Sequence, residues 1–217
     1  MNHLMSLFEE TYRGKTIART LFNWEISKYI KNIGGVVIDL GGGKNPSYER
    51  FWSIKPEKLI RVDISEKAEP DIIADLNKNL PFSNNFADAI FLFSIIYILK
   101  DPGKTLREIN RILKPGGKLF ITSPFIFNEA REPNDYWRFT GEGLEKLLRE
   151  SGFDDILIKP IGERFSAAVY LISPFLLFWP VKFIFYCAAV VLDRFIPQKL
   201  KLKQPCPIGY FVEAIKS

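Results

Sequence analysis

The sequence predicts an α/β fold: a doubly wound sheet, largely parallel, with helices on both faces. Three observations predict it. Short apolar runs rich in β-branched residues alternate with amphipathic helical segments along the chain. The first run, Val36-Val37-Ile38-Asp39-Leu40, opens directly into three glycines, Gly41, Gly42 and Gly43. An acid stands at the end of each of the first three runs: Asp39, Asp63 and Asp75.

Residues 6–32 read as helix, with Leu7, Ile17, Leu21, Trp24, Tyr29 and Ile30 on helical spacing. Residues 1–32 are suited either to lie over a site as a lid or to pack structurally. The first strand follows, then Lys58–Val62 ending at Asp63, Asp71–Ala74 ending at Asp75-Leu76, and Phe86–Phe93, with short helices between. Asp101 caps a helix that has Pro102 at its first position and Leu106, Ile109, Ile112 and Leu113 inward. Pro115-Gly116-Gly117 ends that helix and launches a strand over Lys118–Ser123. Thr140 caps another helix, with Leu144, Leu147 and Leu148 inward and Gly152 at its close. Ile156–Lys159 and Gly209–Ile215 are the sixth and seventh strands.

The glycine turn lacks Cβ atoms, so its amides can approach a ligand closely. A dinucleotide site wants a third glycine, and that position is Pro46. S-adenosylmethionine (SAM) has no phosphate. It needs a small turn for its methionine part and an acid, here Asp39, to orient the turn and accept from its ammonium. Asp63 stands 20 residues after Gly43, where a carboxylate can accept both ribose hydroxyls. Asp75 is placed to accept from the adenine amino group, and the Leu76 amide to serve a ring nitrogen. Ile64 and Ser94 complete the expected cofactor set.

The motifs Val37–Pro46, Arg61-Val62-Asp63-Ile64-Ser65, Ala74-Asp75-Leu76 with Leu80-Pro81-Phe82, and Leu106–Ile121 together resemble the small class I SAM-dependent methyltransferases. The resemblance runs from about residue 33 to 160, with the last strand near 208–215. It implies a Rossmann-like seven-stranded sheet of order 3-2-1-4-5-7-6 with strand 7 antiparallel, and SAM as cofactor. The block Asn134–Thr140 resembles a type-11-like branch often associated with glycan and cell-envelope biosynthesis.

The chain has 217 residues, 47% apolar and 14% aromatic, which suits one methyltransferase domain and excludes a disordered chain. Its parts are the N-terminal helical segment 1–32, a SAM-binding core 33–163, an apolar and basic insertion 164–207, and the last strand 208–217. Cys187 and Cys206 form no metal pattern, and His3 is the sole histidine. No secretory signal is read at the N-terminus, and a cytoplasmic location is expected. The net charge of +5 resides in residues 164–217, which hold seven Lys/Arg and two acids.

Residues 166–192 contain one charge, Lys182. If the flanking strands share one sheet, a single membrane crossing is impossible, and two need roughly 40 apolar residues. Pro174 and Pro180 break the run. Three arrangements remain: a shallow hairpin or in-plane helix in one leaflet, a hydrophobic cap over the substrate, or an extra core or dimer-interface element. Arg194, Lys199, Lys201 and Lys203 favour the leaflet, each worth about 1 kcal/mol at an anionic surface. Trp179, Tyr170 and Tyr186 suit an interface. The expected placement is peripheral, on the inner face of a membrane. A polar basic groove with interleaved aromatics is missing, so nucleic acid is not an expected partner.

The family often carries a Glu-His pair after strand four. Tyr97 and Ile98 stand there instead. The branch often has a histidine shortly before the Asp-Tyr-x-Arg block, and Asn128–Glu132 contains none. The catalytic candidates are Asp135, to orient or deprotonate a hydroxyl, Arg138, to bind an anionic group, Tyr136, to stack on a sugar or shield the methyl, and Glu129 as a second base. An Asp135–Arg138 pair that fixes the loop is the structural alternative, and Trp137 is read as core. The expected activity is O-methylation of a small-molecule, glycan or lipid-linked acceptor at a membrane. A soluble methyltransferase with an apolar cap and an inactive SAM-binding scaffold are the alternatives.

Overall fold

A computed structural model describes residues 3–44, 46–51, 56–130 and 134–217. Asn45 of the glycine motif and Arg131 and Glu132 of the stretch before the Asp-Tyr-x-Arg block lie outside the described residues. Seven strands form one sheet: β1 (Val36–Leu40), β2 (Lys58–Asp63), β3 (Ile72–Ile73), β4 (Ala87–Phe93), β5 (Leu113–Pro124), β6 (Phe153–Ile161) and β7 (Gly209–Lys216). Their order is β3-β2-β1-β4-β5-β7-β6. β1 pairs in parallel with β2 and β4, while β7 runs antiparallel between β5 and β6.

The helices are α1 (His3–Tyr12), α2 (Ile17–Tyr29), α3 (Pro102–Ile112), α4 (Gly141–Glu150), α5 (Arg164–Ile172), α6 (Trp179–Phe195) and α7 (Gln198–Lys203). The N-terminal region is two helices rather than one continuous helix. Gly14 adopts φ +74°, and Thr16 then caps α2 by accepting from the Arg19 amide. Asp101 and Thr140 cap α3 and α4 as expected. β5 begins five residues earlier than the glycine signal implied, at Leu113. The Pro-Gly-Gly segment lies within it, beside a register shift against β4. Between β1 and β3, where short helices were expected, the described residues hold only single 3-10 turns, Glu49–Phe51 and Glu66–Ala68.

α3 and α4 cover one face of the sheet through Leu106, Ile109, Ile112, Leu144 and Leu148. The other face carries an aromatic layer, Phe91, Phe120 and Phe211, covered by α2, α5 and α6. The insertion therefore supplies core as well as surface. Tyr170 and Tyr186, expected at an interface, are 5% and 1% exposed and point inward, because their helices take the place over this face.

The remaining side of the insertion is apolar and open. Phe175 and Leu177 are each 82% exposed, and Phe178, Ile184 and Phe195 face solvent. On α6, Val181, Ile184, Phe185, Val191, Leu192 and Phe195 recur at helical spacing on one stripe, while Tyr186 and Ala189 face in. α6 thus lies along the protein surface. No helix among the described residues is long and apolar enough to cross a membrane. α1 extends the open side: Phe8 packs edge-on against Trp179 and Phe183, Tyr12 against Trp179, and Leu4 and Met5 are exposed.

Phe91 is wholly buried, stacked on Phe93 and edge-on to Phe120. Phe91→Ala is expected to lower the unfolding free energy by about 3–5 kcal/mol in urea titration. Leu177→Ser, on the open apolar side, should change it by no more than about 0.5 kcal/mol.

Candidate functional site

At the carboxyl edge of the sheet, β1 and β4 lie side by side and their chains leave in opposite directions, which opens a crevice. After β1 the chain reverses at Gly41, whose φ is +79° and whose amide donates to the Val62 carbonyl at 2.7 Å. Lys44 N–H closes the turn on the Ala68 carbonyl at 2.9 Å. After β4, Ser94 takes φ +57°, and its amide donates to the Thr122 carbonyl at 2.9 Å. These two turns wall a cavity of about 380 Å³.

Its lining includes Asp39, Gly41, Gly42, Gly43 and Ser94, five of the expected cofactor residues. A Cβ on Gly42 would run into the Asp39 carboxyl group, and one on Gly41 into the Ile95 side chain. The turn is a cradle that only glycine leaves open beside the acid. Asp39 is 1% exposed and accepts from the Tyr48 hydroxyl. Burial pushes its pKa up to about 8, and Arg61 only partly opposes this. The residues fit a ligand that brings a cation to Asp39 and polar acceptors to the turn amides.

Asp63, Ile64, Asp75 and Leu76 do not line this cavity. Asp63 accepts from the Ser65 amide at 2.8 Å, and Ile64 is 62% exposed. Asp75 accepts from the amide and side chain of Asn77, which holds its carboxyl below the usual range. Leu76 is core, its carbonyl accepting from the Thr105 hydroxyl. The three strand-end acids therefore do not share one enclosed cavity. Asp39 alone sits in it, because β2 and β3 end on the open side of the glycine turn.

A second cavity of about 310 Å³ adjoins the first. Lys15, Arg19, Ser94 and Tyr97 line both, and Gly14, Thr16, Phe22, Pro124 and Phe127 complete the second. Tyr97 stands where the family's Glu-His pair was sought. Its phenol is held above its ordinary pKa, first by burial and then by Asp135. Lys15, Arg19, Ser47, Tyr48 and Tyr97 were not among the residues expected here. Thr16 as a helix cap with Lys15 before it and Arg19 one turn on was the only available signal. No residue of 166–192 lines either cavity, so the insertion is not a cap over them.

The loop after β5 is stapled internally. Arg138 grips Asp135 with both guanidinium nitrogens, Nη2 to Oδ2 at 2.7 Å, and the Ala130 amide donates to Asp135 at 2.9 Å. The hydrogen bond from Arg138 holds the Asp135 carboxyl well below its ordinary range, so Asp135 is a poor base. Neither residue lines the cavities; both fix the loop instead of presenting free groups. Tyr136 is 46% exposed, its amide donating to the Tyr97 carbonyl, and Glu129 is exposed outside the cavities. Trp137, expected in the core, is 41% exposed, stacks on Phe139 and donates to the Leu99 carbonyl at 2.8 Å.

Residues 38–121 match the family described as "Methyltransferase domain". Among curated proteins, the 2-methyl-6-phytyl-1,4-hydroquinone methyltransferase of Arabidopsis thaliana is 26% identical over 151 residues, covering 61% of this chain and 44% of that protein. The tRNA U34 carboxymethyltransferase of Campylobacter curvus is 39% identical over 149 residues, covering 58% of this chain and 50% of that protein. The chain thus spans about half the length of the curated relatives it matches. Among solved structures, an Archaeoglobus fulgidus SAM-dependent methyltransferase superposes with a TM-score of 0.62 at 20% identity, covering 97% and 98% of the two chains. The SAM complex of Haemonchus contortus phosphoethanolamine N-methyltransferase 2 gives 0.60 at 22%, covering 90% and 52%. At these identities the structural likeness is one of fold.

The raised pKa of Asp39 fixes a sign. Its protonated form stabilises the fold fully below about pH 4, the unfolded value, and that contribution fades as pH rises to about 8. Asp39→Asn should flatten this fall in stability between pH 5 and 8, measured by urea titration across pH.

Proposed function

We propose that this chain is a class I SAM-dependent methyltransferase that methylates an oxygen of an amphipathic acceptor at the surface of a membrane. A glycan precursor or a lipid-linked sugar is within that class. The observation that carries the proposal is the position of α1. Its outer side, Phe8 and Tyr12, is continuous with the apolar side of α6. Its end leads through Gly14 into Lys15, which lines both cavities. An acceptor with its tail in the leaflet and its head in the second cavity spans that short distance. The Arabidopsis relative is named for a phytylated hydroquinone, which supports an acceptor with a long apolar tail.

When bound, SAM supplies a methyl group already activated on sulfur, so the protein's work is alignment and exclusion of water. Asp39 and the turn at Gly41, Gly42 and Gly43 would hold the methionine part, the Asp39 carboxylate facing the ammonium. Ser94 would lie beside it on the β4 side. Asp63 and Ile64 would serve the ribose, and Asp75 with the Leu76 amide the adenine, along the open side of the turn.

The surface supports peripheral attachment to the cytoplasmic leaflet. An open apolar side of this size marks an interaction site. Lys199, Lys203 and Arg194 are exposed at its end and suit anionic headgroups. Lys201 is half-buried.

Two outcomes are expected. Gly42→Ala, whose Cβ displaces the Asp39 carboxyl group, should weaken SAM binding more than tenfold in calorimetry, at least about 1.4 kcal/mol. The wild-type protein should float with vesicles of phosphatidylcholine and phosphatidylglycerol. The triple variant Phe175→Ser, Leu177→Ser, Phe178→Ser should stay behind. Failure of the wild type to float at low salt would refute the attachment.

A further inference from the structure

We infer that Lys15 and Arg19 form an anion subsite for the acceptor, so that the oxygen to be methylated enters as an oxyanion: a carboxylate, or the anion of an acidic phenol or enol. The inference rests on the methyl-transfer reading above and names the acceptor class of that same site.

The first ground is charge. Both cations line the second cavity as well as the cofactor cavity. Neither makes a side-chain hydrogen bond or ion pair among the described residues, whereas Arg50, Arg61, Arg111 and Arg138 are all paired with acids. No Asp, Glu or His among the described residues lines the second cavity. Two cations with no carboxylate beside them in that lining, Arg19 having only Glu10 nearby and Glu10 being paired with Arg50, stand beside the aromatic walls Phe22, Tyr97 and Phe127 and are suited to a planar or short anion.

The second ground is the lack of a base. Among the described residues, Asp39 is the one acid lining the first cavity, and it is buried against Tyr48. Asp135 is locked to Arg138, and the Tyr97 phenol holds its proton more tightly than an ordinary tyrosine. Among the described residues lining these cavities, none is a free base that could take the proton of a neutral hydroxyl. An oxyanion needs no base: its lone pair forms the new O–CH3 bond, and the S–CH3 bond breaks with its pair passing to sulfur. The negative charge of the acceptor and the positive charge of the sulfonium cancel, and no proton moves. The missing Glu-His pair then follows from the acceptor class and does not signal lost activity.

The test uses the full chain loaded with S-adenosylhomocysteine, with benzoate and benzamide as probes of equal shape. Benzoate should bind at least tenfold more tightly than benzamide by calorimetry. In Lys15→Gln/Arg19→Gln that preference should fall below twofold, with the affinity for S-adenosylhomocysteine changed by less than twofold. Equal binding of the two probes by the wild type would overturn the inference and leave the cofactor reading standing. So would a tenfold loss of S-adenosylhomocysteine affinity in the double variant, which would assign the cations to the cofactor's carboxylate. If the loaded state cannot be formed at all in the folded wild type, the methyl-transfer reading falls and the anion subsite with it. Near-ultraviolet circular dichroism reports the fold of the variant. If the double variant fails to fold, Arg19→Gln alone should cut the benzoate preference at least threefold, and an unchanged preference would overturn the inference.

Discussion

The site depends on one constraint: a carboxylate sealed at the end of β1 with no side chain allowed above it. Asp39 can sit there only because residue 42 has no Cβ, and residue 42 is held in place only because Gly41 reverses the chain and ties its amide to β2. Burial keeps the acid largely protonated in the free protein, and Tyr48, four residues beyond the turn at Lys44, donates to it. The carboxyl group, the turn and the returning segment therefore form one unit. A change to any of the three displaces the others, since close-packed interiors transmit strain instead of absorbing it.

The strands and caps were legible because each is set by local chemistry. Asp101 and Thr140 accept from the first turns of their helices, and Leu144 and Leu148 recur at helical spacing because only one stripe of α4 is inward. Asp39, Gly41, Gly42, Gly43 and Ser94 were likewise found, since strand-end acids and Cβ-free turns leave a sequence mark. Lys15 and Arg19 left only a helix cap beside them, and Tyr97 only its place after β4. They meet at the cavity because the tertiary fold brings the start of α2 beside the turn after β4, which no period or spacing records. Asp135 and Arg138 show the opposite failure. Their types suggested chemistry, but at three residues apart they satisfy each other, and geometry alone distinguishes a staple from a free pair.

The insertion left more than one reading open for a different reason. A continuous apolar run reads the same whether it faces lipid or core. Residues 166–192 do both: Ala167, Tyr170, Tyr186 and Ala189 pack over the aromatic layer of the sheet, while the stripe from Val181 to Phe195 stays open. With only 3-10 turns between β1 and β3 among the described residues, this face would be thinly covered without α5 and α6. The apolar helices are as much a wall of the fold as a surface.

The placement of β7 has a consequence for how the chain is made. β7 wedges between β5 and β6, so the sheet closes only when this strand arrives. α5 and α6 precede it in the chain and leave the ribosome first. Translation proceeds at roughly 5–20 residues per second. For that interval α5 and α6 can pack on α1, α2 and the strands already made, but the aromatic layer beneath them lacks Phe211 and their outer apolar side stays open.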